Sequence, residues 1–479
     1  MPVRRYVREE GWLLPDSLDE LIASDDPVRF VAAYIDSFTE ADWTRLGISQ
    51  TGAARGADRY HPRLLLGIWV WAFMSGIRAT RRIEEACRRR TDFLWLTGFQ
   101  CPDHNTLWRF YAAHRTGMRL LLRQSVELAV RLDLVDLVIQ AVDGTKVSGN
   151  AARDRTYDQA GLDRLLARTE QAIADLESQN SRDDDDPSPP RMPRGLAQVE
   201  RLRQQLLAAK ATVAEGAQIN LTDADAQLLP SRRGWVAGYN CQAATSPLDA
   251  EVTGQTGQLI TAAEAITQAN DKDLLVPMIE AAAANTGQVA DVTVADSGYT
   301  TMETIIACQE HGYGILLPID AATTPAAQYH QANFIYDPAT DTFACPEGQT
   351  LTFRGKRQRE GREVTLAYAA GARTCKACPA FGCCTTDGHK GRLIEIAESL
   401  APRLRHRARM ATAEAKTLYA RRKSLAEPVF GVLKESLGLR RFLLRGREQV
   451  NAEWQLMCAC FNLRVVVRIW QRRPELFAF

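Results

Sequence analysis

Two apolar runs that each stop at an aspartate constrain this chain more than any other feature. Leu134-Val135-Asp136-Leu137-Val138-Ile139-Gln140-Ala141-Val142 closes at Asp143 and is followed by Gly144-Thr145-Lys146. Val289-Ala290-Asp291-Val292-Thr293-Val294-Ala295 closes at Asp296 and is followed by Ser297-Gly298-Tyr299. Short runs of this kind read as buried strands. A carboxylate at the end of such a strand is costly to bury unless something pairs with it, and open α/β sheets place their chemistry at that edge. A third acid, Glu427, lies in a basic helical stretch from Tyr419 to Lys434. Three converging carboxylates are hard oxygen ligands of the kind Mg²⁺ takes. Two such ions, roughly 4 Å apart, activate an attacking oxygen and stabilise a leaving one in phosphodiester displacement.

The 479 residues allow roughly two to four domains. The amino terminus has basic residues with no apolar stretch behind them, so it does not read as a secretory signal. The longest apolar run, Leu64 to Ile77, is short for a membrane span and suits a buried helix. The expectation is therefore a cytoplasmic chain with no membrane partner, whose eleven cysteines are reduced thiols or metal ligands. Charge is distributed unevenly. Residues 401–479 hold 17 Lys/Arg against 6 Asp/Glu, a net +11, while residues 126–400 hold 24 against 37, a net −13. A basic tail on an acidic middle suggests a polyanion partner, although a solvated helix face explains the charge about as well.

Along the chain, residues 1–125 read as a helical, DNA-binding domain, with helix-period stretches at Pro27–Phe38, Pro62–Ile77, Arg81–Arg90 and Thr106–Arg123. Arg78, Arg81, Arg82, Arg88, Arg89 and Arg90 are candidate phosphate contacts there, weighed evenly against plain solvated surface. The first strand is expected at about 134–143. A helical hairpin is inserted at 155–217, its two apolar faces separated by the polar turn Ser181–Pro190, whose four aspartates read as a solvated loop. Strands follow at 234–245 and 257–262, a helix at 271–284, a strand at 289–295, a helix at 302–310 and a strand at 313–318. The fold class is thus α/β, with three strands and then helix, strand, helix, strand, the order of an RNase H-like mixed sheet. The catalytic domain is assigned to 134–320 and 403–479, interrupted by a Cys-rich insertion at 321–402.

In that insertion Cys375-Lys376-Ala377-Cys378 is a Cys-x2-Cys knuckle suited to one tetrahedral Zn²⁺. Cys345 and one of Cys383 or Cys384 complete four sulfurs; Cys345, Cys375, Cys378 and Cys384 are the set favoured here, with His389 as a substitute. The segment is poor in apolar residues, so a metal is expected to supply the folding energy that a core does not. The other cysteines are scattered and read as small core residues.

Val142-Asp143-Gly144-Thr145, Gly238-Tyr239-Asn240-Cys241-Gln242, Ala295-Asp296-Ser297-Gly298-Tyr299 and Tyr419…Arg422…Glu427…Lys434 occur in this order, with Arg440-Arg441-Phe442 and Arg445-Gly446 beyond. In that order the chain resembles bacterial insertion-sequence transposases of the DDE class, the branch with an RNase H-like catalytic core, over nearly its whole length. The resemblance implies that Asp143, Asp296 and Glu427 are the catalytic, metal-binding triad for two Mg²⁺ ions. It implies that Tyr419, Arg422 and Lys434 are the accessory set around the glutamate. The spacing from Arg422 to Glu427 is one residue longer than the family's usual pattern, which makes Lys423 a rival to Arg422. Arg441 and Arg445 are further candidates for DNA phosphate. The implied function is binding of an element's terminal inverted repeats, metal-dependent cleavage and strand transfer on double-stranded DNA, by at least a homodimer. Two rival readings remain: an RNase H-like nuclease or resolvase without strand transfer, and a non-catalytic DNA-binding derivative. Pro428, directly after Glu427, requires the helix there to start or to kink.

Overall fold

The computed structural model describes residues 17–50, 59–180, 194–231, 234–319, 328–358 and 363–477. The turn Ser181–Pro190 and its four aspartates lie outside them. The central sheet is built from β1 (Ile139–Ser148), β2 (Gly234–Pro247), β3 (Gln258–Ile266), β4 (Val292–Val294) and β5 (Ile315–Leu316). They lie in the order β3-β2-β1-β4-β5, and the short strand Gln227–Ser231 pairs with the start of β2. β2 runs antiparallel to both β1 and β3, whereas β4 and β5 run parallel to β1. The architecture is a mixed α/β sheet with helices on both faces.

Side-chain alternation assigns the faces. Val142, Ala244 and Ala262 pair across the three strands and belong to a core with the helix Leu275–Thr286. Ala141, Ala243 and Ala263 belong to the larger core, which they share with the helix Arg447–Arg472 and the amino-terminal helices. That 26-residue helix is buried along most of its length. It also closes the outer edge of β3. Asn462 accepts from the Ile260 N–H and donates to the Ile260 carbonyl, both at 2.8 Å, while Asn451 and Gln455 satisfy Ala265 and Ala263. Three amide side chains thus supply hydrogen bonds that a further strand would otherwise make, which blunts an exposed edge.

The amino-terminal helices are Pro27–Asp36, Glu40–Arg45, Pro62–Met74, Thr80–Arg89, Thr91–Thr97, His104–Met118 and Leu121–Arg131. Asp103 caps the helix after it by accepting from Thr106 N–H at 2.7 Å. The single helix expected over 106–123 is interrupted at Arg119–Leu120. Arg78 is not a phosphate contact. Its side chain is 9% exposed, pairs with the buried Glu453, and donates to the carbonyls of Gly438 and Arg441. Arg88, Arg89 and Arg90 are exposed but pair with Glu84, Glu85 and Asp92, while Arg81 and Arg82 lie exposed on the surface.

Helices Gln159–Asn180 and Arg194–Thr212 pack together around Leu162 and Leu206. The Cys-rich segment departs from expectation. It forms a five-stranded antiparallel sheet, β6 (Ile335–Asp337), β7 (Thr342–Ala344), β8 (Thr350–Arg357), β9 (Thr365–Ala369) and β10 (Leu393–Ala397). Phe334, Phe343, Leu351, Tyr368, Ile394 and Ile396 give it an apolar core of its own. A metal is therefore not the sole source of its folding energy. Among the described residues no helix is long and apolar enough to cross a membrane.

Candidate active site

Asp143 does not end its strand but stands at its middle. The antiparallel ladder with β2 continues to Ser148↔Gly238, whereas the parallel ladder with β4 stops at Ala141↔Val294. β1 therefore loses its partner on one side two residues before Asp143, and the carboxylate emerges where the sheet parts. Asp296 lies two residues beyond β4 and caps the single turn Ser297–Tyr299, its Oδ1 accepting from Gly298 N–H at 2.8 Å.

Glu427 lies on the helix Arg422–Gly431, which passes through Pro428 rather than starting at it. Proline cannot donate to the carbonyl four residues back. That carbonyl, on Ser424, accepts instead from Gln258 Nε2 at 2.8 Å, so the first residue of β3 replaces the missing helical bond. Beyond Gly431 the helix widens into a π turn, Val432–Ser436, a local irregularity often associated with function. The π turn carries Lys434, whose Nζ donates to Thr145 Oγ1 and to the Lys146 carbonyl, the latter at 3.1 Å.

Asp143, Asp296 and Glu427 all line one groove of about 800 Å³, with Lys146, Arg422, Lys434 and Arg440 on its walls. The lining therefore combines three carboxylates with four cationic side chains. The carboxylates differ in environment. Glu427 is exposed, whereas Asp143 is 16% exposed and is pushed up to about 6 by burial. The Gly144 N–H, at 2.8 Å, and the Arg422 guanidinium, at 3.3 Å, oppose that rise, and the charges of Asp296 and Asp271 add to it. Arg422, not Lys423, reaches Asp143; Lys423 is exposed. Tyr419 is half-buried, and burial raises its phenol while Arg422 opposes. Arg441 and Arg445 hold the loop after β1, donating to the Gly149 and Asn150 carbonyls at 3.1 and 3.0 Å.

Among the described residues no three His, Cys, Asp or Glu side chains are gathered at the spacing of a single ion. Asp143 instead faces Arg422 at 3.3 Å. The donor chemistry still fits Mg²⁺: the three acids supply hard oxygens only, and one of them is desolvated beside other acids. The cysteines show the same combination of convergence without gathering. Cys345, Cys375, Cys378 and Cys384 line one cavity of about 20 Å³, room for about one water, whereas Cys383 and His389 are exposed. Backbone N–H groups of Gln349 and Arg392 point at the sulfurs of Cys345 and Cys375, at 3.2 and 3.3 Å.

The sequence reading missed Thr145, Lys146, Ser148 and Arg440 as groove residues, and it missed Asp271 beside the aspartates. The alternation of Asn240 and Gln242 on β2, two amides on one face of a buried strand, was the available signal for Asp271. Each needs a polar partner, and each donates to Asp271.

Residues 344–467 match the family described as a transposase DDE domain, and residues 16–113 match the family described as a transposase domain (DUF772). The first match contains Glu427 and strands β8, β9 and β10 of the Cys-rich sheet, and the second contains the amino-terminal helices from Pro27–Asp36 to Thr91–Thr97 and the start of His104–Met118; β1 and β4 lie between them. A search of curated proteins gave no match. Two transposase-like regions thus flank a sheet whose two aspartates share one groove with the glutamate, and these matches support an insertion-sequence transposase of the DDE class.

Proposed function

We propose that this transposase binds the ends of its element, cuts them in a divalent-cation-dependent reaction and joins the freed 3′-hydroxyl to target DNA. The observation that carries this reading is the single groove lined by Asp143, Asp296 and Glu427 and walled by Lys146, Arg422, Lys434 and Arg440. The strand order β3-β2-β1-β4-β5 supports an RNase H-like core, with the first two acids beside the point where β1 leaves its parallel partner.

Asp143, Asp296 and Glu427 are the residues that would hold Mg²⁺. When bound, two such ions polarise the scissile phosphate and stabilise both the attacking and the leaving oxygen. The chain's own work is positioning and charge. Lys434, anchored on Thr145, holds a cation at the groove wall for a DNA phosphate. Arg422 pairs with Asp143, and its guanidinium would suit bidentate contact with a DNA phosphate at the same wall. Arg81, Arg82 and the basic carboxyl-terminal segment supply phosphate contacts that set register rather than read sequence. Cutting two ends together requires at least a dimer on DNA.

Cys345, Cys375, Cys378 and Cys384 are the residues that would hold a structural zinc. The single cavity they share supports this.

The test is incubation of the purified chain and its Asp296→Asn and Glu427→Gln variants with duplexes carrying candidate element ends and Mg²⁺. The variants should bind these duplexes yet leave them uncut. Retained cutting by either rejects the assignment. A joining assay on precut ends separates a transposase from a nuclease that lacks strand transfer.

A further inference from the structure

A fourth carboxylate stands beside the two strand aspartates, and the sheet is shaped to admit it. Asp271 lies in the loop between β3 and the helix Leu275–Thr286. Its Oδ1 accepts from Asn240 Nδ2 and Gln242 Nε2, each at 2.8 Å, and lies 3.7 Å from Lys146 Nζ. The Gln242 side-chain Oε1 in turn accepts from the Tyr299 hydroxyl, on the turn that Asp296 caps. One carboxylate therefore ties together β2, β1 and the Asp296 turn.

The two glycines of the aspartate motifs make room for this network. A Cβ on Gly144 would stand 2.4 Å from Gln242 Nε2 and 3.1 Å from Asp271 Oδ1. A Cβ on Gly298 would stand 2.9 Å from Asp296 Oδ1 and 3.4 Å from Asp271 Oδ2. The residue after Asp143 and the second residue after Asp296 thus lack side chains where Asp271 and its amide partner pass between them. Four residues from three segments, Asn240, Gln242, Asp271 and Tyr299, are committed to a seam that lies beside both aspartates but is not part of the groove lining.

We propose that Asp271 is a positioning residue of the cation site: it fixes the separation of Asp143 and Asp296 and adds a negative charge behind them. This rests on the reading of Asp143 and Asp296 as ligands. Supporting residues one step from a metal ligand typically matter by about 10- to 100-fold in metal affinity. Two variants separate the contributions. In Asp271→Asn the amide oxygen still accepts from Asn240 and Gln242, so charge is lost and the tether stays. In Asp271→Ala both are lost.

The experiment is Mn²⁺ binding to the full chain, followed by electron paramagnetic resonance of the free ion, together with cleavage across a Mn²⁺ series. Thermal unfolding without metal reports folding. Asp271→Asn should bind Mn²⁺ about tenfold more weakly and recover cutting at saturating metal. Asp271→Ala should bind at least as weakly and cut poorly even at saturation, because the aspartates are misplaced. Wild-type affinity for Mn²⁺ in Asp271→Asn overturns the proposal. If Asp271→Ala does not fold, Gln242→Leu, which cuts the link to Tyr299, takes its place, and unchanged cutting at saturation overturns the positioning role. Failure of the underlying reading looks different: the Asp143→Asn variant would then bind Mn²⁺ as well as the wild type.

Discussion

Replacing Asp143 by asparagine should make the cation-free protein more stable while abolishing cutting. Burial moves the Asp143 carboxyl from 3.8 to about 6, against the pull of Gly144 and Arg422. The folded pKa lies above the unfolded one, so the folded state disfavours the ionised form. Above about pH 6 the full penalty applies; it fades as pH falls from about 6 towards 4 and is absent below both values. A shift of roughly two units corresponds to about 3 kcal/mol at most. With the side chain 16% exposed, solvent screening is slight. The amide imitates the protonated acid in size and lacks its charge. In urea unfolding without divalent cations, Asp143→Asn should therefore exceed the wild type by about 2–3 kcal/mol at pH 8 and match it near pH 4. Adding Mg²⁺ should close the gap at pH 8 by stabilising the wild type alone. A variant less stable than the wild type at pH 8, or a difference independent of pH, would refute the reasoning: the attraction of Arg422 for the carboxylate would then outweigh the cost of burying it.

The remaining predictions concern parts distant from the groove. Glu453→Gln removes the charge facing Arg78 across a pair whose side chains are 2% and 9% exposed; stability should fall by about 3–5 kcal/mol, as for other broken buried pairs, and an unchanged urea midpoint would contradict it. The full chain, purified under reducing conditions, should carry close to one zinc by elemental mass spectrometry. Cys378→Ala and Cys384→Ala should lower that content and Cys383→Ala should not; a metal-free wild type would end the zinc reading.

What was legible in the sequence had short range. The runs before Asp143 and Asp296 gave the strands because apolar continuity over a few residues is a local property. Their ends were less legible: Asp143 falls mid-strand because β2 extends the ladder past it, and that partner lies about a hundred residues away. Arg78 was misread because its charge is the same whether it meets phosphate or the carboxylate of Glu453, 375 positions on. The core of the Cys-rich sheet was missed for a related reason, since its apolar residues are spread thinly over five strands and gather only when these pair. Asp271 carried no periodicity, and a loop acid becomes informative only once its two amide partners are seen on the neighbouring strand.

The covered margin of β3 bears on how two copies can meet. With Ile260, Ala263 and Ala265 already answered by Asn462, Gln455 and Asn451, the main chain there offers no template on which a second polypeptide can extend the sheet. If two copies meet on a duplex as proposed, contact at this margin would run through side chains or through the nucleic acid rather than through strand pairing.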